Sequence, residues 1–555
     1  MRHPATSTRS AALAKLRRLA PWLIAALFAA FLCAVTAHHE MWRDEIQAWL
    51  FARDSATPLQ MLAAMRHEGH PPLWHLLLWP LAHVTKNPVA MQVLHVALAA
   101  GSGLLVFRFS PFSWPVRLLL MAGYFFSYEW AAISRNYAIA AVLVFGICVL
   151  YEQRRERPVA IGLLLTLLAL THASGLIIAI AIAATLSLEV AVSFVRRAGA
   201  EIRLGRFAAA MALALLGMLA AVRQASPPPD AAFAHPAHLY FHAEDAVKLS
   251  GAVIDGYLPV PIDRLTFWNT NRFLGQRAPT LLPARIDERY RIPVAVTLIA
   301  FGALLLATRP WMLIPFALAT AAQLALTHLY FFGSVRHHGF LFLILVAALW
   351  MSFAHAPAEM NTAGGGWSGK TISFVDRHRM KAFAVLLAIH VWATTIAIRI
   401  DWTRPFSQGR AAAQWIDRNI PDKDAVVFVG LRSPVASTVV GYLELDRMYY
   451  PDRSEFGSYI IYDTRRLHHH ADQVGNEVFE LMETLHKPAV LVLSRPLEKN
   501  AGFGSRALFL TSFERAIQPD EHFWIYAVDP HPGRSGAPNP ALGSERREIN
   551  ALAGR

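Results

Sequence analysis

The sequence predicts a polytopic α-helical membrane protein that carries a small C-terminal α/β domain on the extracytoplasmic side. Three observations predict it. Of 555 residues, 55% are hydrophobic and only 16% charged, well under the roughly 25% charge of a soluble domain. The hydrophobic residues gather into repeated runs close to the ~20 residues that cross a hydrocarbon core. After Arg399 that pattern stops, and short apolar runs alternate with helical patterns. The runs correspond to about 11 to 13 transmembrane helices. The formal net charge of +13 does not point to nucleic acid, because the arginines concentrate in short loops between apolar runs. The positive-inside rule and anionic headgroups account for them there. Cys33 and Cys148 both lie inside apolar runs and lack the spacing of a metal site or a disulfide framework.

Residues 1–18 hold Arg2, Arg9, Lys15, Arg17 and Arg18 and no acid, which assigns them to the cytoplasm. The run from Leu19 to Ala37 then crosses outward, and the spans that follow it argue against a cleaved signal peptide. Residues 38–70 form the first external loop, where Asp44–Arg53 and Pro58–His67 mix apolar and charged residues at helical spacing. They read as two amphipathic helices lying along the outer surface. The run Pro71–Val84 is short and carries His75 and His83, so it is expected to be partly embedded or re-entrant. Further runs lie near 89–109, 115–132, 134–151, 158–174, 175–195, 206–223, 291–308, 311–332, 336–355 and 381–399. Basic segments at 154–157, 196–206 and 370–381 mark the cytoplasmic side. This places Ser134–Tyr137, the 224–290 loop, Gly333–His338 and everything after residue 400 outside.

The membrane domain is therefore expected over 19–399. The loop 224–290 is long for a connection and should have structure or function of its own. Gly364-Gly365-Gly366 reads as a flexible cytoplasmic linker. Within 400–529, Ala425–Gly430, Met448–Tyr450, Ala489–Leu493 and Phe523–Val528 read as strands, and Ser433–Leu443 and 471–486 as helices. The stretch 530–555, rich in Pro, Gly and Ser, reads as a disordered tail.

The polar residues set near the predicted outer boundary carry the functional argument. Asp44 and Glu45 follow the first span. Neighbours on a helix point about 100° apart, so the two carboxylates cannot share one role. One is expected to face the interior and the other to cap or orient. A carboxylate at a partly desolvated boundary suits general-base work, and a helix acid stabilised by the dipole is the alternative that residue types leave open. Glu68 and His70 precede Pro71-Pro72, which fix the backbone and start a new helix; a plain helix start is the alternative. Arg135 could bind a phosphate in bidentate fashion or simply snorkel, with Glu129 as an ion-pair partner. Arg336-His337-His338 brings three donors to another external span end. His468-His469-His470 reads as a surface loop, since consecutive side chains diverge. No P-loop, zinc-like Cys/His spacing or Gly-rich nucleotide fingerprint is present.

At Trp42-Arg43-Asp44-Glu45, His70-Pro71-Pro72-Leu73 and Ser134-Arg135-Asn136-Tyr137, with a terminal extracytoplasmic domain, the sequence resembles the GT-C glycosyltransferases. The likeness is to the protein O-mannosyltransferase and lipid A aminoarabinose transferase type (glycosyltransferase families 39 and 83). It covers residues 20 to about 400. It implies a multi-pass protein of the bacterial inner membrane with its C-terminal domain in the periplasm. It further implies inverting transfer of a hexose or pentose from a polyprenyl-phosphate donor to a lipid, glycan or protein acceptor. In the resemblance, Asp44 and Glu45 match the catalytic acid of the first external loop. His70 to Leu73 match a segment lining the same cavity, and Arg135 matches a basic residue near the donor phosphate. Arg43, Glu68, Tyr137, Arg336, His337 and His338 complete the implied donor-binding set. Asp44, Glu45 and Glu68 could ligate a divalent cation, though nothing requires one. The chain departs from the mannosyltransferases in lacking their β-trefoil insertion, and in having Asn136-Tyr137 where many relatives continue with acids. A transporter or lipid flippase is the competing class; it predicts inverted repeats, and no clear repeat is visible. A non-catalytic scaffold would leave the external acids and arginines without a purpose.

Overall fold

The computed structural model describes residues 5–196, 203–232, 234, 236–275, 286–355, 367–465, 471–497 and 502–529. The triple histidine 468–470, the glycine linker 364–366 and the tail 530–555 lie outside the described residues.

Among the described residues, eight helices are long and apolar enough to cross a bilayer: Arg18–His38, Val89–Phe109, Ala173–Val195, Leu204–Ala225, Glu288–Leu306, Pro310–Leu329, Val335–Ser352 and Phe374–Thr403. Their outward residues are apolar and open, as at Leu27, Val93, Leu216 and Val385, which is the surface that lipid covers. Val335–Ser352 is the exception, because nearly all of its side chains are buried. It is the central post of the bundle, with Phe340 packed against Trp130, Phe342 against Phe125 and Phe126, and Trp350 against Phe145. Small residues bring other helices close. A Cβ on Gly162 would lie 2.5 Å from the Ala210 carbonyl oxygen, and one on Gly217 as close to the Thr166 methyl, so these backbones meet as small residues in membranes allow.

Three expected spans differ in form. The runs at 134–151 and 158–174 supply shorter helices, Tyr137–Leu150 and Pro158–Ala169. The run at 115–132 is broken: a helix over Trp114–Met121 ends, and a wide turn of helix follows over Phe125–Glu129. The break carries the buried Glu129, whose carboxylate accepts hydrogen bonds from Tyr124 (2.8 Å) and the Trp268 indole (3.2 Å). A straight helix is given up where a buried acid must be satisfied. Leu73–Ala82 is a ten-residue helix, about 15 Å long and too short to cross. The 224–290 loop contains a helix, Ala243–Tyr257. It packs on the central post at Gly256, where a Cβ would meet the His338 carbonyl oxygen at 2.5 Å.

The C-terminal domain is a six-stranded sheet of β1 (Val427–Gly430), β2 (Met448–Tyr450), β3 (Glu455–Gly457), β4 (Ala489–Leu493), β5 (Ala507–Phe513) and β6 (Phe523–Val528). The order is β3-β2-β1-β4-β6-β5, with β1 parallel to β2 and β4 and the remaining pairs antiparallel. Side chains alternate between two cores, as strand geometry requires. Phe428, Val490 and Val492 face one with Trp49, Phe51 and Trp74, while Val427, Val429, Leu491 and Leu493 face the other with Val478 and Met482. The first core joins the domain to the segment 41–82. Arg43–Asp54 therefore does not lie as an amphipathic helix along a surface: nine of its twelve residues are buried, because the C-terminal domain covers the face that a bare membrane protein would show to water.

Candidate active site

Helix Arg43–Asp54 begins with a side chain that reaches back over its start. The Glu45 carboxylate accepts the Trp42 amide at 3.2 Å, while the Glu45 amide donates to the Trp42 carbonyl oxygen at 3.0 Å. Glu45 is fully buried. It also accepts the Ser134 amide (2.5 Å) and a His39 ring nitrogen (3.1 Å), and the other His39 nitrogen meets Asp401 at 3.0 Å. Burial works against charge on His39, but the carboxylates of Glu45 and Asp401 override it and push the ring up to about 10. This Glu45–His39⁺–Asp401 chain ties the helix start to the Ser134 turn and to the last membrane helix. Every Glu45 oxygen is occupied from within the protein.

Asp44, one position earlier, turns the other way. Its Oδ2 lies 3.5 Å from Arg135 and 3.6 Å from Arg336, and its Oδ1 lies 3.9 Å from Arg43. The Arg135 and Arg336 side chains are 15% and 14% exposed and that of Asp44 26%, so the cluster opens outward on the Asp44 side. Arg135 is anchored by donating to the Asp44 carbonyl oxygen at 2.5 Å. The Arg336 guanidinium rests between the Trp268 ring (4.9 Å) and the Trp42 ring (5.7 Å), which orients it and favours its charge. Its Nη1 is buried without a hydrogen-bond acceptor. A buried charged donor left unpaired is costly, and separations of 3.5 Å or more to Asp44 leave both arginines with donors to spare.

The remaining expected residues divide. Glu68 accepts Gln47 at 2.9 Å, and His70 stands 3.9 Å from it. Burial raises the Glu68 carboxyl to about 7, and burial together with the Arg135 charge lowers His70 to about 4. An acid and a neutral imidazole therefore lie beside the arginine pair. Tyr137 shares a hydrogen bond with the His337 Nε2 at 3.1 Å. His338 points elsewhere, to Asp255 (3.0 Å) and the Phe332 carbonyl oxygen (2.8 Å), so the three donors at 336–338 do not act together. Arg43 reaches the C-terminal domain at Asp520 and Glu521 instead. Glu129, expected as a partner of Arg135, is held by Tyr124 and Trp268.

Two participants carried no sequence signal. His172 caps helix Ala173–Val195 by accepting the Ser174 amide at 3.2 Å, and its ring stacks near His337 (5.6 Å) and faces His70 (6.4 Å). Glu521, from the loop between β5 and β6, is buried against the start of the site helix. It accepts the Arg43 amide (3.2 Å) and the Ser407 hydroxyl (2.8 Å). Gln47 extends the same docking: its amide donates to the Ile460 carbonyl oxygen (2.6 Å) and accepts the Ile460 amide (3.1 Å). Asp44, Glu45 and Glu68 do not form a metal-ligand group, because Glu45 is consumed by His39 and Ser134 and Asp44 sits between arginines.

No family model matches the chain, and no curated protein matches it. Among solved structures it is similar to the crystal structure of ArnT from Cupriavidus metallidurans in the apo state. That likeness has 12% identity and a TM-score of 0.47, covering 94% of this chain and 99% of that one.

Proposed function

We propose that this multi-pass membrane protein is a glycosyltransferase of the GT-C type. It would move a monosaccharide from a polyprenyl-phosphate donor to an acceptor hydroxyl, with inversion. The observation that carries the reading is the Arg135–Asp44–Arg336 cluster: a carboxylate set between two cations, one of which keeps a buried donor without an acceptor. In the reaction, the acceptor oxygen forms a bond to the anomeric carbon while the bond from that carbon to the phosphate oxygen breaks. Asp44 takes the hydroxyl proton. Arg135 and Arg336 receive the charge developing on the departing lipid phosphate. Glu68, His70, Tyr137 and His337 line the sugar side, and Glu45 holds the helix start rather than reacting. The acceptor is a lipid, glycan or protein hydroxyl outside the cytoplasm. In this reading the chain spans the bacterial inner membrane over 19–399, and the domain 400–529 lies in the periplasm over the site. Transfer of labelled sugar from synthetic polyprenyl-phosphate donors by the purified protein tests it. Turnover that disappears in Arg336→Ala is expected; no turnover with any donor would favour a transporter.

A further inference from the structure

Away from the arginine cluster, three potential metal ligands from separate parts of the chain converge where the 224–290 loop crosses the end of helix Leu313–Leu329. His238 comes from the loop, Asp245 from the first turn of helix Ala243–Tyr257, and His328 from the last turn of Leu313–Leu329. One ligand atom from each lies within 4.8 Å of the others. We propose that His238, Asp245 and His328 bind a divalent transition metal, zinc by the chemistry of the set, which clasps this loop to the membrane helix.

Two imidazoles and one carboxylate are borderline-soft ligands suited to zinc, with a fourth position left for water. Calcium and magnesium ask for oxygen ligands throughout. Tetrahedral bonds of ~2 Å need ligand atoms about 3.3 Å apart, so side-chain movements that close gaps of up to about 1.5 Å complete the site. The backbone already holds the segments together, since the His238 amide donates to the Leu329 carbonyl oxygen at 2.8 Å. The carboxylate is also fixed in advance. Asp245 Oδ2, 3.7 Å from the His238 Nε2, accepts the His242 amide at 2.9 Å, and Oδ1 faces Lys248 at 3.5 Å. Hydrogen bonds behind a ligating carboxylate orient it. Exposed Tyr240, Phe241, Tyr330 and Phe331 surround the site, an aromatic rim like those found at headgroup level. The clasp would lie just before the Gly333–Ser334 turn that leads into Arg336. It does not depend on the proposed reaction.

Full-length protein in detergent, stripped with a chelator, is titrated with cobalt(II) and then with zinc against a chromophoric competitor. One equivalent is expected, with cobalt giving the visible absorption of a four-coordinate site. Affinity should fall about 100-fold or more in His238→Gln and in His328→Gln, while His67→Gln, outside the trio, binds as the parent does. Zinc should raise the thermal midpoint of the parent and leave both variants unmoved. His238 is half exposed, so its variant folds irrespective of the metal. Absence of a bound equivalent, or affinity unchanged in both variants, overturns the proposal.

Discussion

Replacing Asp44 with asparagine separates the two roles that the cluster could give this residue. The carboxylate lies 3.5 and 3.6 Å from two guanidiniums. At an effective dielectric of ~20, each pair is worth roughly 4–5 kcal/mol before desolvation. Asparagine keeps the shape and removes the charge, so the arginines gain one net positive charge toward any anion that enters. For a phosphate about 7 Å from the lost carboxylate, the same arithmetic gives roughly 2 kcal/mol, which is at least ~10-fold tighter binding after screening. Removing a general base costs about 100- to 10,000-fold in turnover. The expected signature is therefore unusual: kcat falls steeply while the donor binds more tightly, so KM falls too. Binding of polyprenyl phosphate and transfer of labelled sugar are measured on the same preparation, after gel filtration shows the variant to be folded. Slow turnover with weakened lipid-phosphate binding would instead make Asp44 a brace for the arginines. Turnover at the parent rate would remove it from the chemistry.

Arg336→Lys keeps a charge but loses the planar fork and the stacking between Trp42 and Trp268; KM for the donor should rise at least ~10-fold, and an unchanged KM would place the donor phosphate elsewhere. Glu521→Ala orphans the Arg43 amide and the Ser407 hydroxyl, at about 1–3 kcal/mol each. Limited proteolysis should then cut between the last membrane helix and the C-terminal domain, with loss of transfer, and an unchanged digestion pattern would count against the docking role. Glu68, raised to about 7 by burial, gives a pH test on stability. A carboxyl with a raised value contributes stability that is whole below the unfolded value near 4.5 and is lost as pH climbs through about 7. Discounted for its 12% exposure, the contribution is on the order of 2 kcal/mol. The thermal midpoint of the parent should drop between pH 5 and pH 8 more than that of Glu68→Gln, and parallel pH profiles would refute the assignment.

Sequence patterning carries the fold where periodicity is local. β2, β4 and β6 have the bounds read from apolar runs, and helix Ser433–Tyr442 ends one residue earlier than expected. Two strands escape it. β3 is three residues long and mostly exposed, and β5 has no period-two alternation because it is a half-exposed edge strand with an irregularity between Phe509 and Thr511. Edge strands need little burial and so leave little pattern. Helix Gly409–Asn419 buries Ala412, Ala413 and Ile416 on one side, a short apolar stripe that is faint beside the longer membrane runs.

The site divides along the same physical line. Residue types could nominate Asp44, Arg135 and Arg336, because charges at a membrane boundary are conspicuous against an apolar background. Asp44 is the expected base of the two, yet residue types alone give no physical ground for that rank over Glu45. The rank depends on His39, Ser134 and Asp401, which are close in space and up to 362 residues apart in the chain. Histidine at position 39 looks like a boundary residue in the sequence. In the fold, two carboxylates keep it charged, and it in turn keeps Glu45 engaged. That engagement fixes the rotation of the helix about its axis and, through the 100° step to the preceding position, turns Asp44 toward the arginines. The buried chain is thus the reason the open carboxylate faces its partners: His39→Ala should disturb Asp44 without touching it, by leaving Glu45 and Asp401 as unpaired buried acids.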